Sequence, residues 1–196
     1  EIVGERPYEM VWANRVEDDN PPLIDFEDLA GWRVELKDAQ ASFARSREQQ
    51  IWGKYVGKLT YRGTGEKPEV RILPPTPVKI DGSFDAVTCW IYGNNWAWAP
   101  DPATPQVHIF AIFEDKKTEF RVTLGRVHWK EWFLTHRRLT PEQIQQVTDG
   151  ANFTGFLIEN GTNKEDRIIY FDNLAVFKEK FPPLEFKPRP ERGIPM

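Results

Sequence analysis

From residue 23 to residue 178 the chain is a series of short runs in which apolar and polar side chains alternate. Gly, Pro, Asn or Asp punctuates the runs at intervals of about ten to twenty residues. Alternation with a period of two places successive side chains on opposite faces of a strand. WRVELK (32–37) sets Trp32, Val34 and Leu36 against Arg33, Glu35 and Lys37. YVGKLTYR (55–62) sets Leu59 and Tyr61 against Lys58 and Thr60. LIDFEDL (23–29), EVRIL (69–73), FDAVTCWIYG (84–93), EFRVTLGRV (119–127), EWFLTHRRL (131–139), FTGFLIEN (153–160) and RIIYFDNLAVFK (167–178) read as further strands. VHIFAIFED (107–115) is apolar on both faces and reads as a central, fully buried strand. Many short strands with regular turn signals predict an all-β sandwich.

One segment has a different period. Thr140-Pro141-Glu142-Gln143 combines an N-cap, a proline at the first helical position and a capping-box partner three residues on. It predicts one short helix near 141–147. Residues 1–22 read as a leader that ends at Pro21-Pro22, residues 23–180 as the sandwich, and residues 181–196 as a proline-rich tail or linker. Both ends read as cut, as in one module of a longer protein or a mature product.

Composition narrows the function classes. The net charge is −4 with both signs interspersed, so no basic stripe for nucleic acid is present. No apolar run approaches the roughly 20 residues of a membrane-spanning helix. Cys89 is alone, so an internal disulfide is excluded, and one Cys with three scattered His residues argues against zinc. Asn152-Phe153-Thr154 and Asn160-Gly161-Thr162 fit the glycosylation sequon, with chance occurrence in turns as the alternative. Eight Trp residues are many for this length. They point either to a heavy core or to a surface that stacks flat apolar ligand faces.

Three groups of residues are candidates for chemistry. The first is Trp90 to Trp98. Val87, Cys89 and Ile91 suit the core, which leaves Thr88, Trp90 and Tyr92 on the outside of a sheet. Asn94, Asn95, Trp96 and Trp98 follow in a loop. Rings stack on the C–H face of a sugar and amides bond its hydroxyls, so all six aromatic and amide residues are candidate ligand contacts. The alternative is that a loop or the leader covers Trp90 and Tyr92, while Trp96 and Trp98 pin their own loop. Arg47, with Arg45 before it, is a further candidate as a bidentate partner for an acidic sugar, an exposed loop with local ion pairs being the alternative. The second group is Glu27 with Asp172: if the first and last strands adjoin, their carboxylates can share a hard cation with backbone oxygens, while composition alone favours two solvated carboxylates. The third is the basic aromatic run Arg126 to Trp132 with His136, Arg137 and Arg138. There Trp132 reads as core and His136 as a solvated strand residue.

DFED near the start, WGKYVGKLTY, FDAVTCWIYG and IIYFDNLAVF together resemble the galactose-binding-like β-jelly-roll of carbohydrate-binding modules, over roughly residues 23–178. The resemblance implies a jelly-roll sandwich and a non-catalytic role in binding an oligo- or polysaccharide. It implies a place in a secreted or periplasmic multidomain glycan-degrading enzyme, with a neighbouring domain of the same polypeptide as partner. It also implies a structural Ca²⁺ held by Glu27, Asp172 and backbone oxygens near Lys54. Two other readings stay open: an interaction domain of the same fold that packs on a catalytic neighbour, and a small polysaccharide lyase or glycoside hydrolase. The motif set of jelly-roll lyases is missing, as are the Gly-x-Ser-x-Gly, His-Glu-x-x-His and phosphate-loop signatures.

Overall fold

The computed structural model describes residues 20–116 and 118–179. Most of the expected leader and all of the 181–196 tail lie outside the described residues. Two antiparallel sheets face each other. One contains β1 (Arg33–Lys37), β4 (Glu69–Leu73), β10 (Gly150–Glu159), β7 (His108–Asp115) and β8 (Thr118–Arg126) in that order, with β5 (Val78–Asp81) also paired to β10. The other has the order β2 (Ala39–Ser46), β3 (Val56–Gly63), β11 (Arg167–Phe177), β6 (Ala86–Tyr92) and β9 (Trp132–Arg138). This is the sandwich that the alternation predicts, with the jelly-roll form that the resemblance implies. The helix α1 (Pro141–Gln146) starts at the expected cap, where the Thr140 side chain accepts from the Gln143 amide and the Gln143 side chain accepts from the Thr140 amide.

Side chains from one face of each sheet meet between the sheets. Leu59 and Tyr61, Val87, Cys89 and Ile91, and Ile169 and Phe171 point inward from the five-stranded sheet. Val70, Ile72, Ile109, Phe113, Phe153 and Phe156 meet them from the other. Burial of so many large side chains, each worth about 1.5–3 kcal/mol, is the main stabilising term.

Three expectations need correction. Residues 23–29 are not a strand. Ile24 makes a single bridge to Leu174, and the chain then turns with Phe26 at φ 58°. That turn drives the Phe26 ring between Phe156 and Phe171, at 6.2 and 6.4 Å. β7 is central, between β10 and β8, but His108 and Phe110 on its outer side are only half-buried. Finally, β2 and β5 were not expected as strands. In β2, alternation in AQASFARS is masked by small residues, and only Phe43 among them carries a large apolar side chain.

Candidate functional site

The register of the five-stranded sheet builds one row from edge to edge. Ala44 pairs with Lys58, Lys58 with Tyr170, Tyr170 with Tyr92, and Tyr92 with Trp132. Directly paired residues share a face, and this is the outer face, opposite the core. With strands about 4.8 Å apart the row spans ~19 Å. Tyr92 meets Trp132 edge to face at 5.6 Å and Tyr170 at 5.8 Å. Tyr92 and Trp132 are half-buried, while Tyr170 is more enclosed. Beside this row, Ser42, Thr60 and Ile168 pair in the same order, and Asn94 donates to the Tyr61 hydroxyl and the Ile168 carbonyl. The Asn94 Oδ1 atom is buried and has no protein partner among the described residues.

The loop between β2 and β3 folds back over the sheet and forms a wall along the row. The Glu48 carboxylate accepts from Lys58 Nζ at 2.6 Å and from the Tyr170 hydroxyl at 2.7 Å. Both bonds hold the Glu48 carboxyl below the usual glutamate range. Burial, and then the Glu48 carboxylate, keep the Tyr170 hydroxyl protonated well above the usual phenol range. Farther along the loop, Trp52 packs on Trp90 at 6.3 Å, and its amide donates to Asp172 Oδ2. The Lys54 and Tyr55 amides both donate to Glu27 Oε1, at 2.6 and 3.1 Å. Gly53, at φ 54°, lets the backbone pass so closely that a Cβ there would sit 1.9 Å from Glu27 Oε1.

Glu27 and Asp172 therefore grip one loop from two sides. Asp172 is fully buried at a bulge in β11, where its Oδ1 accepts from the Asn173 amide and Asn173 has φ 37°. The bulge aims the carboxylate out of the ladder toward the loop. Among the described residues no three His, Cys, Asp or Glu side chains gather as a metal cluster. A cation here would draw on these two carboxylates and on backbone carbonyls, which are the hard oxygen donors that Ca²⁺ takes.

The other expected contacts divide. Tyr92 stands in the row. Trp90 has the expected outward parity, but Trp52 covers it and leaves it 3% exposed, so its face is not open to a ligand. Asn95 is also buried: its side chain donates to the Thr104 carbonyl and accepts from the Asp101 amide. It pins the loop from 93 to 107 rather than facing outward. Trp96 and Trp98 form a ring pair at 5.2 Å, and Trp98 is 77% exposed. Arg47 is exposed at the start of the β2–β3 loop. Trp129, not Trp132, is the core member of its run, donating Nε1–H to the Ile91 carbonyl. Trp132 lies outside because its partner is Tyr92.

Tyr170, Trp132, Lys58 and Glu48 belong to the row and its wall but were not among the expected contacts. For Tyr170 the signal was present: in RIIYFDN it has the opposite parity to Ile169 and Phe171. The outer face of the six-stranded sheet is different in kind. Cross-strand pairs Lys37–Glu69, Arg71–Glu119 and Arg121–Glu159 cover it at 2.7–3.0 Å, and Arg121 lies over its half-buried ring, Phe110.

No protein-family model and no curated protein sequence matches the chain. Solved structures do match. One is a carbohydrate-binding module of the β-sandwich superfamily, studied for promiscuous specificity. It is 12% identical, with a TM-score of 0.56, over 81% of this chain and 62% of that one. This chain thus spans less than two thirds of that protein's length. A β-1,2-glucanase from Parabacteroides distasonis matches at 12% identity and a TM-score of 0.50, over 85% of this chain and 26% of the enzyme. A family 11 module from Clostridium thermocellum in complex with a β-1,3-1,4-mixed-linked tetrasaccharide is 14% identical, over 80% and 94% of the two chains, at a TM-score of 0.49. The chain has the jelly-roll fold of the β-sandwich carbohydrate-binding modules.

Proposed function

We propose that this chain binds a polysaccharide chain laid across the outer face of its five-stranded sheet, as a non-catalytic module of a secreted multidomain glycan-degrading enzyme. The observation that carries the reading is the unbroken row from Trp132 through Tyr92 and Tyr170 to Lys58 and Ala44. Rings turned edge to face make an uneven floor, suited to a single twisted glycan chain rather than a flat crystalline surface. The hydroxyls of Ser42, Thr60 and Tyr92 offer polar partners along it, whereas the Asn94 side-chain oxygen is buried and out of a ligand's reach. Glu48 is held ionised, which suits a positioning group and not a general acid.

Glu27, Asp172 and loop carbonyls would hold a structural Ca²⁺. Bound there, the ion would tie the β2–β3 loop to the sheet. A glycan array probed with the whole chain tests the function. Binding to a polysaccharide that is lost in Trp132→Ala supports it, and an array with no signal removes it. The Trp96–Trp98 pair, with Trp98 exposed, favours a second role for the 93–107 loop, as a contact to a neighbouring domain. Trp98→Ala would then leave glycan binding intact.

A further inference from the structure

The cations on the outer face of the five-stranded sheet are paired with carboxylates. By register, four basic side chains point outward from the five strands: Lys58 and Arg62 on β3, and His136 and Arg138 on β9. Each has a carboxylate beside it. Lys58 Nζ lies 2.6 Å from Glu48, and Arg62 lies 3.8 Å from Asp166 while also donating to Gln40. His136 and Arg138 share Glu179 at 2.7 and 3.9 Å. Among the described strand residues of this face, no cation lacks an acidic neighbour.

We infer that the face takes an uncharged glycan and rejects a polyuronate, with Glu48 as the residue that decides. The inference rests on the carbohydrate-binding reading and names its substrate class. A uronate carboxylate needs an uncommitted Lys or Arg, commonly in a bidentate geometry. Lys58 stands within the ring row, where such a partner would be most useful. Glu48 occupies it and adds a negative charge that repels the incoming one. Specificity of this kind is a difference of two affinities, and a like charge beside the ligand supplies the unfavourable half. Glu48 also engages the Tyr170 hydroxyl as a donor to its own carboxylate. Its side chain is largely exposed, so its replacement changes the charge pattern without opening the core.

The test is calorimetry at low salt on the whole chain. The probes are two neutral polymers, mixed-linked β-1,3-1,4-glucan and β-1,4-galactan, and one acidic polymer, polygalacturonate. The unmodified chain should bind a neutral polymer and not polygalacturonate. Glu48→Gln should bind polygalacturonate at least tenfold more tightly than the unmodified chain does. That gain should fall with added salt and vanish in Glu48→Gln/Lys58→Met. Polygalacturonate binding by the unmodified chain at neutral-polymer strength overturns the inference and leaves the carbohydrate reading standing. It does so whether or not Arg47→Ala removes that binding. A Glu48→Gln chain that melts like the parent and gains nothing overturns the role of Glu48. Binding to none of the three polymers, together with an empty glycan array, overturns both.

Discussion

The Tyr170 hydroxyl donates to the Glu48 carboxylate at 2.7 Å, across 122 residues of sequence. Together with Lys58 it anchors the β2–β3 loop to the sheet and sets one wall of the ring row. Glu48 titrates below the ordinary glutamate range because Lys58 and Tyr170 favour its ionised form. A folded-state value below the unfolded one means that the clasp contributes above the unfolded glutamate range. Its contribution is lost as pH falls through the lowered folded value. Tryptophan fluorescence reports the loop, since Trp52 lies on Trp90. An acid transition in that signal is expected on the low side of the glutamate range, and it should be absent in Glu48→Gln. The same transition in both proteins would place its origin elsewhere.

Gly53 should tolerate no side chain. Its φ of 54° and the 1.9 Å approach of a Cβ to Glu27 Oε1 both oppose one. Left-handed backbone at a non-glycine residue costs on the order of 1–3 kcal/mol, and displacement of Glu27 adds to it. Gly53→Ala should therefore lower the urea midpoint clearly, and Gly82→Ala serves as a control. Gly82 also has positive φ, at 80°, but a Cβ there meets nothing within 4 Å. Equal effects of the two would show that backbone strain alone matters.

Calcium should raise the melting temperature, and a chelator should lower it. Glu27→Gln should abolish the response, because the ion would lose one of two carboxylates while the Lys54 and Tyr55 amides keep an acceptor. A chelator without effect on the parent chain would remove the metal from the proposal.

Phe26 should be among the costliest positions in the fold. Its ring is fully buried, touching Trp32, Phe43, Phe156 and Phe171. Phe26→Ala is expected to cost about 3–5 kcal/mol in denaturant unfolding. A loss near that of an exposed substitution would contradict the packing described.

Phe26 also shows what the sequence could and could not reveal. Its neighbours alternate as a strand would, and nothing local announces the left-handed turn that swings the ring inward. By contrast, parity alone placed Cys89 and Ile91 inside and Trp90 and Tyr92 outside, because one face of β6 must meet the core. The Thr140 cap was equally legible, since all its partners lie within three residues.

Legibility of the site stopped at cross-strand neighbours. Tyr92 looks like part of a local Trp90–Trp98 cluster, yet its partners are Trp132 and Tyr170, some 40 and 78 residues away. Trp90 was lost as a contact for the same reason, because Trp52, from a distant loop, covers it. Glu27 and Asp172 were paired from the expected adjacency of the first and last strands, and family resemblance supported the pairing. The structure sets both carboxylates on the 52–55 loop backbone.

Trp132 is the most direct probe of the ring row, being half-buried on an edge strand and outside the core. The measurement is calorimetric titration of the parent chain and Trp132→Ala with soluble mixed-linked β-glucan and β-galactan. The parent should bind at least one, and Trp132→Ala should lose at least tenfold in affinity, about 1.4 kcal/mol, with little change in melting temperature. Undiminished affinity in Trp132→Ala, or no binding by the parent to any glycan on a broad array, would contradict the proposed face.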